Sequence, residues 1–339
     1  MAGAPAEPVV TSRSVGLIGT GVVGSRAAVT IARSGSIGSL LVNDQRRVAV
    51  ASALRTLGAR ADAAPADIVA AQDVVVLASG RGQVDAARDI VVRGGRCVTT
   101  TDSVGETRAL LELDSIAADR GAVLVVGATL MPGASGLIAR ALCERLDEAD
   151  EIHVAVDGTG GPACARQHHR ALGGMAAAAW HDGAWIERPA GSGRELLWFP
   201  EPVGPQDCYR AEVPEPYLLH QAFPSVERIS ARMSATRRDR LTARLPMLSP
   251  PHRQGGVGAL RVEVRGHVAG ERRAEVLGVA ERPGTAAGIV AGVVAVALAD
   301  GLIDQPGVHV LGEAGMPNGV LLDRVRSAGL RLHEYVGSY

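Results

Sequence analysis

Residues 16–44 read GLIGTGVVGSRAAVTIARSGSIGSLLVND. An apolar run ends in a Gly-x-Gly-x-x-Gly turn at Gly19, Gly21 and Gly24. An Ala-rich segment of helical periodicity follows, and a second apolar run closes on an acid, Asp44. In a chain with 42 glycines the triplet alone would mean little. A strand before it, a helix after it and an acid about 20 residues on make the fingerprint of a dinucleotide site. Gly19 permits the tight turn, Gly21 lets the backbone approach a pyrophosphate, and Gly24 lets helix and strand pack closely. The helix N-terminus then offers free N–H groups and partial positive charge to the phosphates. The stretch predicts a Rossmann-type unit.

Asp44 and the arginines beyond it, Arg46 and Arg47, point in different directions. A carboxylate at the end of the second strand accepts hydrogen bonds from the adenosine ribose hydroxyls. A 2′-phosphate there would meet like charge, at about 4 kcal/mol per unit pair near 4 Å and an effective dielectric of about 20. An arginine reaching past the acid would offset that repulsion, but it also fits a solvated helix start. This reading favours NAD(H) over NADP(H) and leaves NADP(H) possible.

The chain's 339 residues exceed one ordinary core, so two domains are expected. With 47% apolar residues and a formal net charge of -1, there is no basic excess to address nucleic acid or an anionic membrane. All 35 basic residues are arginine. That excludes a Schiff-base lysine, a P-loop lysine and a lysine general base. The four cysteines, Cys97, Cys143, Cys164 and Cys208, form no metal-ligand or CxxC pattern. They read as reduced cytoplasmic thiols, and no metal site is expected. The opening MAGAPAEPVVTSRS lacks the charged and apolar regions of a signal peptide and reads as a disordered lead. The apolar run 284–299 closes at Asp300 after about 16 residues, short of the roughly 20 a bilayer needs. It predicts a buried helix, with Gly288 and Gly292 letting a second helix approach one face.

Strand-like runs at 14–19, 39–43, 73–78, 96–101 and 122–128 alternate with helical patterns, which predicts a parallel sheet covered on both faces. Beyond residue 150 the alternation at 151–158, 226–234, 259–268 and 273–281 predicts half-buried strands of a more antiparallel sheet. The Pro-rich WFPEPVGPQDCYRAEVPEPY, 198–217, interrupts them. The expected fold class is α/β: a doubly wound parallel sheet plus an α+β substrate domain. The boundaries read as 1–133 for the dinucleotide domain, 134–283 for the substrate and dimerisation domain, and 284–339 for a helix and tail returning to the first.

The stretch VVGATLMPGASGLIARALCERLDEADEIHVAVDG, 125–158, together with the GTGVVG turn, resembles the saccharopine dehydrogenase-like oxidoreductases, in the branch with lysine 6-dehydrogenase and saccharopine reductase. The likeness continues through ALRVEVRGHVAGE (259–271) and GTAAGIVAGVVAVALADGLIDQPGV (284–308) and does not extend to 160–225. The resemblance implies a Rossmann domain, an α/β substrate domain, NAD(P)-linked chemistry on the amine or imine group of a small amino or imino acid, and a homodimer. Met131 stands where the family's turn commonly carries an acid before Pro-Gly.

In a doubly wound sheet the crevice lies at the carboxyl ends of the strands. Cofactor contacts are therefore expected from Gly19, Thr20, Gly21, Val22, Val23, Gly24, Asp44, Arg46, Ser79, Gly80, Thr101, Met131 and Pro132. Asp102, next along, reads as an acid/base or amine-holding group, and equally as a helix cap. GTGGPACARQHHRALGG, 158–174, runs from a Gly-rich turn into a segment bearing Arg166, His168, His169 and Arg170. Neighbouring histidines on a helix point about 100° apart, so one of the pair faces a cleft. Arg166 lies three residues before His169 and shares its face. The expected catalytic set is therefore His169, Asp102 and Arg166, with arginine holding a carboxylate and histidine exchanging a proton. His153, His267 and His309 read as structural, and His181, beside Trp180 and Trp185, as lining a pocket. Two rival functions share the fold: a retained cofactor serving net non-redox chemistry, and nucleotide binding without turnover.

Overall fold

The computed structural model describes residues 13–247 and 250–335. The lead 1–12 lies outside the described residues. The first sheet uses β1 (Arg13–Ile18), β2 (Ile37–Asn43), β3 (Asp62–Ala63), β4 (Val74–Leu77), β5 (Arg96–Thr99) and β6 (Val123–Val126). The second uses β7 (Glu148–Asp157), β8 (Ala177–His181), β9 (Ala184–Arg188), β10 (Glu195–Trp198), β11 (Pro205–Arg210), β12 (Arg228–Ser234), β13 (Gly258–Val268) and β14 (Glu271–Glu281). Two late strands divide between them, β15 (Gly307–Val310) joining the first and β16 (Leu332–Glu334) the second. The helices are α1 (Val22–Arg33), α2 (Arg47–Leu57), α3 (Ala66–Ala70), α4 (Gln83–Val92), α5 (Val104–Leu111), α6 (Asp114–Arg120), α7 (Ala134–Cys143), α8 (Pro162–Gly173), α9 (Glu215–Ala222), α10 (Arg237–Thr242), α11 (Pro283–Ala299) and α12 (Asn318–Ser327).

The first sheet runs β15-β6-β5-β4-β1-β2-β3, and each of its pairings is parallel. β1 pairs with β2 on one side and β4 on the other, so the strand order reverses there and a crevice opens at the carboxyl ends. The central strands are apolar on both faces, as Val74–Leu77 and Val123–Val126 are buried throughout. That burial needs helices on both sides.

α11 supplies one of them. Gly288 and Gly292 lie against α1, where an added Cβ would come within 2.3 Å of Arg26 Cβ and 2.6 Å of Thr30 Cβ respectively. The two small residues set how close the helices come. No helix among the described residues is long and apolar enough to cross a membrane.

The second sheet runs β10-β11-β12-β7-β13-β14-β16, with the β8–β9 hairpin attached to β12. It is mainly antiparallel, and the β7–β12 pairing is parallel. Three strands formed between 184 and 210, within and beside the Pro-rich stretch, where the sequence shows no clear alternation. The tail also departs from its expected path. β15 adds a seventh strand to the first sheet, but β16 pairs with β14, so the chain's last described strand fastens the second sheet.

Candidate active site

The glycine turn has the backbone that its sequence requires. Gly19 takes φ +101°, and its N–H donates to Asn43 O at 2.8 Å. A Cβ on Gly24 would sit 1.8 Å from Gly19 O, so helix and turn touch there with no space for a side chain. Gly21, the N-cap of α1, has open space, its nearest neighbour being Arg46 Nη2 at 3.8 Å. It has no side-chain cap, and the first-turn N–H groups of Val22, Val23 and Gly24 have no carbonyl within the helix to reach. This cradle suits an anion.

Asp44 binds the turn directly. Its Oδ2 accepts from the Thr20 N–H at 2.8 Å, and Oδ1 accepts from the Arg46 N–H at 2.8 Å and from Arg46 Nε at 3.2 Å. Burial raises its pKa, but the Arg46 and Thr20 hydrogen bonds outweigh that and hold the carboxyl below its ordinary value. The Thr20 hydroxyl and Arg46 Nη2 also reach Oδ2, at 3.3 and 3.4 Å, so its roughly four acceptor positions are engaged and a ribose hydroxyl takes the place of one of these two donors. The sequence left Asp44 and Arg46 as rivals; the structure makes them partners.

The loops after β4 and β5 are tied together by two residues that sequence reasoning overlooked. Buried Gln83 donates to Ser79 O at 2.7 Å and accepts from the Thr100 N–H at 2.9 Å. Glu106 accepts from the Gly82 N–H at 3.0 Å and from the Thr101 hydroxyl at 2.8 Å. Thr101 is buried and its hydroxyl is spent on this brace. Ser79 donates to Arg81 O at 2.9 Å. Gly80 is exposed on the loop and faces α8, an added Cβ standing 3.3 Å from Ala163 Cβ.

That approach shows how α8 meets the crevice. The 158–161 turn lies on the dinucleotide turn: a Cβ on Gly161 would come 2.7 Å from Val22 Cγ2, and one on Gly284 2.6 Å from Val22 Cγ1. α8 therefore begins beside the cradle and brings its first turns to the end of β5. There Asp102, Cys164 and His168 converge, each offering an oxygen, sulfur or nitrogen within 4.8 Å of the others. Cys164 Sγ lies 3.4 Å from His168 Nε2 and is also hydrogen-bonded to the Asp102 carboxyl.

Desolvation raises the Asp102 pKa to about 6, with the Cys164 hydrogen bond and the charge of Arg170 opposing the rise. Desolvation also pushes the Cys164 thiol far up and His168 down to about 4. At neutral pH the thiol keeps its proton, the imidazole is neutral, and the carboxyl titrates close by.

Several sequence expectations change here. Asp102 does not cap α5; the N-cap is Ser103, which makes no side-chain cap bond, and the Asp102 side chain turns to Cys164 instead. His169 is not the histidine that meets Asp102. Its Nε2 is 2.8 Å from Leu245 O, on the side of α8 that faces the loop after α10. Arg166 is exposed and is not brought to the Asp102 cluster. Met131 and Pro132 are buried beneath α9, since an added Cβ on the neighbouring Gly127 would touch Pro132 Cγ at 2.8 Å and Leu218 Cδ1 at 3.0 Å. The 131–133 turn is packed core here and not an open wall of the crevice. His181 is largely exposed and lies 3.1 Å from Asp182, while Trp180 stacks on His220 at 4.0 Å and Trp185 on Tyr217 at 4.7 Å.

Cys164 and His168 carry a signal the sequence did offer. They are four residues apart, which places sulfur and imidazole on one helix face.

No protein-family model matches the chain, and no curated protein matches it. Among solved structures the chain is similar to saccharopine dehydrogenase (L-Glu forming) from Saccharomyces cerevisiae. The TM-score is 0.67 at 14% identity, over 96% of this chain and 100% of that one. It is also similar to an engineered D-amino acid dehydrogenase bound to NADP+, with TM-score 0.52 at 12% identity over 92% and 96%. A third is the C. glutamicum DAP dehydrogenase in complex with DAP, with TM-score 0.51 at 13% identity over 92% and 96%. The chain thus shares the overall fold of these structures, as the sequence resemblance implied.

Proposed function

We propose that this protein is an NAD(P)-dependent oxidoreductase acting on the CH–NH group of a small amino or imino acid, with NAD(H) the preferred cofactor. The observation that carries the reading is the meeting of two features in one crevice. The side-chain-free cradle at Gly19, Gly21 and Gly24 lies under the 158–161 turn, and Asp102 stands where α8 reaches the end of β5. The structures of similar fold include saccharopine, D-amino acid and DAP dehydrogenases, which supports an amino-acid substrate.

A nicotinamide dinucleotide, when bound, supplies the hydride acceptor or donor. The residues of this chain do the rest. The Gly21–Gly24 N–H groups would hold the dinucleotide's pyrophosphate, and Asp44 would accept from its adenosine ribose. Asp102 exchanges a proton with the substrate nitrogen, and Cys164, hydrogen-bonded to it, keeps its carboxyl oriented. Gly161, at the start of α8, and Gly284 pack on Val22 and cover the glycine turn. This assignment moves the proton exchange from His169 to Asp102 and leaves Arg166 outside the reacting group.

Absorbance at the nicotinamide wavelength, read against a panel of amino acids and their imino or oxo acids with ammonia, tests the reading. Net NADH formation or consumption supports it. Product formed without net change in NADH means transient oxidation in a non-redox reaction, and tight cofactor binding with neither means a nucleotide-binding protein.

We also propose a homodimer. β10 is the edge strand of the second sheet and leaves Leu196 and Trp198 exposed, which light scattering of wild type against Trp198→Ser would test.

A further inference from the structure

We propose that Asp102, Cys164 and His168 form a binding site for one thiophilic divalent cation of the zinc type. The site stands on geometry alone and does not depend on the oxidoreductase reading.

Three arguments support it. The first is spacing. Ligands of a tetrahedral zinc lie about 2.0–2.3 Å from the metal, hence roughly 3.3–3.8 Å from one another. Cys164 Sγ and His168 Nε2 are already 3.4 Å apart, and the Asp102 carboxyl lies within 4.8 Å of both. The remaining contraction is a side-chain adjustment.

The second is the way the donors are held. Cys164 and His168 are four apart on α8, so one helix fixes sulfur and nitrogen together, while Asp102 enters from the loop after β5. Two separate elements thus supply the ligands.

The third is donor chemistry. A mixed sulfur, nitrogen and oxygen set selects zinc, cobalt or copper over magnesium or calcium, which require oxygen ligands. All three residues keep partial exposure, and three protein ligands leave a fourth position for water or a small ligand.

Other charges bear on the site. The charge of Arg170 acts on Asp102 and opposes a cation, but its guanidinium is exposed and bonded to Gln167 Oε1 at 2.7 Å. Glu106 also acts on Asp102 and favours a cation. No other trio of His, Cys, Asp or Glu donors comes so close among the described residues. Binding releases the Cys164 proton, and the Asp102 proton when present, to solvent, and the cation takes their place between the three donors. On the oxidoreductase reading, which the site itself does not need, cation binding and proton exchange by Asp102 exclude one another.

Cobalt(II) chloride titrated into the reduced full chain tests the site without any turnover assay. The expected result is one equivalent bound, with a thiolate-to-cobalt charge-transfer band and the ligand-field bands of four-coordinate cobalt, all displaced by zinc. Cys164→Ser should abolish the charge-transfer band. His168→Ala and Asp102→Asn should each weaken cobalt by at least about tenfold. Should Cys164→Ser fail to fold, the other two variants decide, and affinity equal to wild type in both overturns the site. Absence of the band in wild type, or its persistence in Cys164→Ser, also overturns it.

Discussion

The dinucleotide turn and the Asp102 cluster lie in one crevice but are built in different ways. The turn is made of backbone from a single stretch, and what matters there is the lack of side chains at Gly19, Gly21 and Gly24. The cluster is made of side chains from two distant segments, the loop after β5 and α8, and it exists only when α8 is seated against the end of β5. A backbone site is fixed once its local strand, turn and helix form. A side-chain site inherits its precision from packing between distant segments. The turn is therefore sensitive to added volume, and the cluster to lost functional groups.

The largest expected effect lies in the cluster. If Asp102 exchanges the substrate proton, Asp102→Asn should lower kcat by about 10²–10⁴-fold while NADH affinity stays within about twofold of wild type. Steady-state kinetics with a calorimetric binding check would reveal it, and unchanged kcat would remove Asp102 from the chemistry.

Next comes a carboxyl away from the crevice. Glu215, the first residue of α9, is buried, its Oε2 has no hydrogen-bond partner, and desolvation raises its pKa to about 7 against the lowering effect of Ser135. Its ordinary value is 4.5, so between these values the unfolded chain ionises while the folded one keeps its proton. The stabilising contribution is complete below pH 4.5 and is lost as pH rises through 7. Glu215→Gln should therefore remove up to about 3 kcal/mol of the stability lost between pH 5 and pH 8. Denaturant midpoints at both pH values, wild type against variant, check this; parallel losses would mean that Glu215 is not the titrating group.

Asp44→Ala should weaken NAD(H) by about tenfold and narrow its advantage over NADP(H), because the ribose acceptor and the repulsion of a 2′-phosphate go together. Equal affinities for both nucleotides before and after would return the choice to Arg46. The smallest effect belongs to His169→Asn. Its imidazole bonds Leu245 O beside α10, away from Asp102, so turnover should change by less than about threefold. A drop beyond tenfold would bring His169 back as the proton carrier.

The fold was legible wherever one period dominated a segment. The five parallel strands first read from apolar runs are present within a few residues of their expected limits, and so is the buried helix whose Gly288 and Gly292 meet α1. β3, with two residues, and β16, with three, are too short to show any period. β10 and β11 flank prolines and pair with each other, and the pairing of β11 to β12 is set by a neighbour further along the chain.

The candidate site divides in the same way. Gly19 to Asp44 could be read in one line, since spacing is the whole signal. The Asp102 cluster could not, because the 102 loop and α8 meet only through tertiary packing. The Cys164–His168 spacing was visible, yet four cysteines without a shared pattern drew attention away from it, and the Arg166–His169 pair looked the better match. Helical spacing alone cannot say which face of α8 turns inward. Met131 and Pro132 were placed at the cofactor by analogy of strand ends, and α9 covers that end.

The central claim is that the glycine turn holds a nicotinamide dinucleotide, and calorimetric titration of NADH into wild type and Gly21→Val tests it most directly. Gly21 has no contact closer than Arg46 at 3.8 Å, so valine there should leave the fold intact while filling the space of the pyrophosphate. The predicted result is one site per chain in wild type and binding weakened by more than about 100-fold in a variant that still unfolds cooperatively. No binding in wild type, or equal binding in the folded variant, would contradict the account.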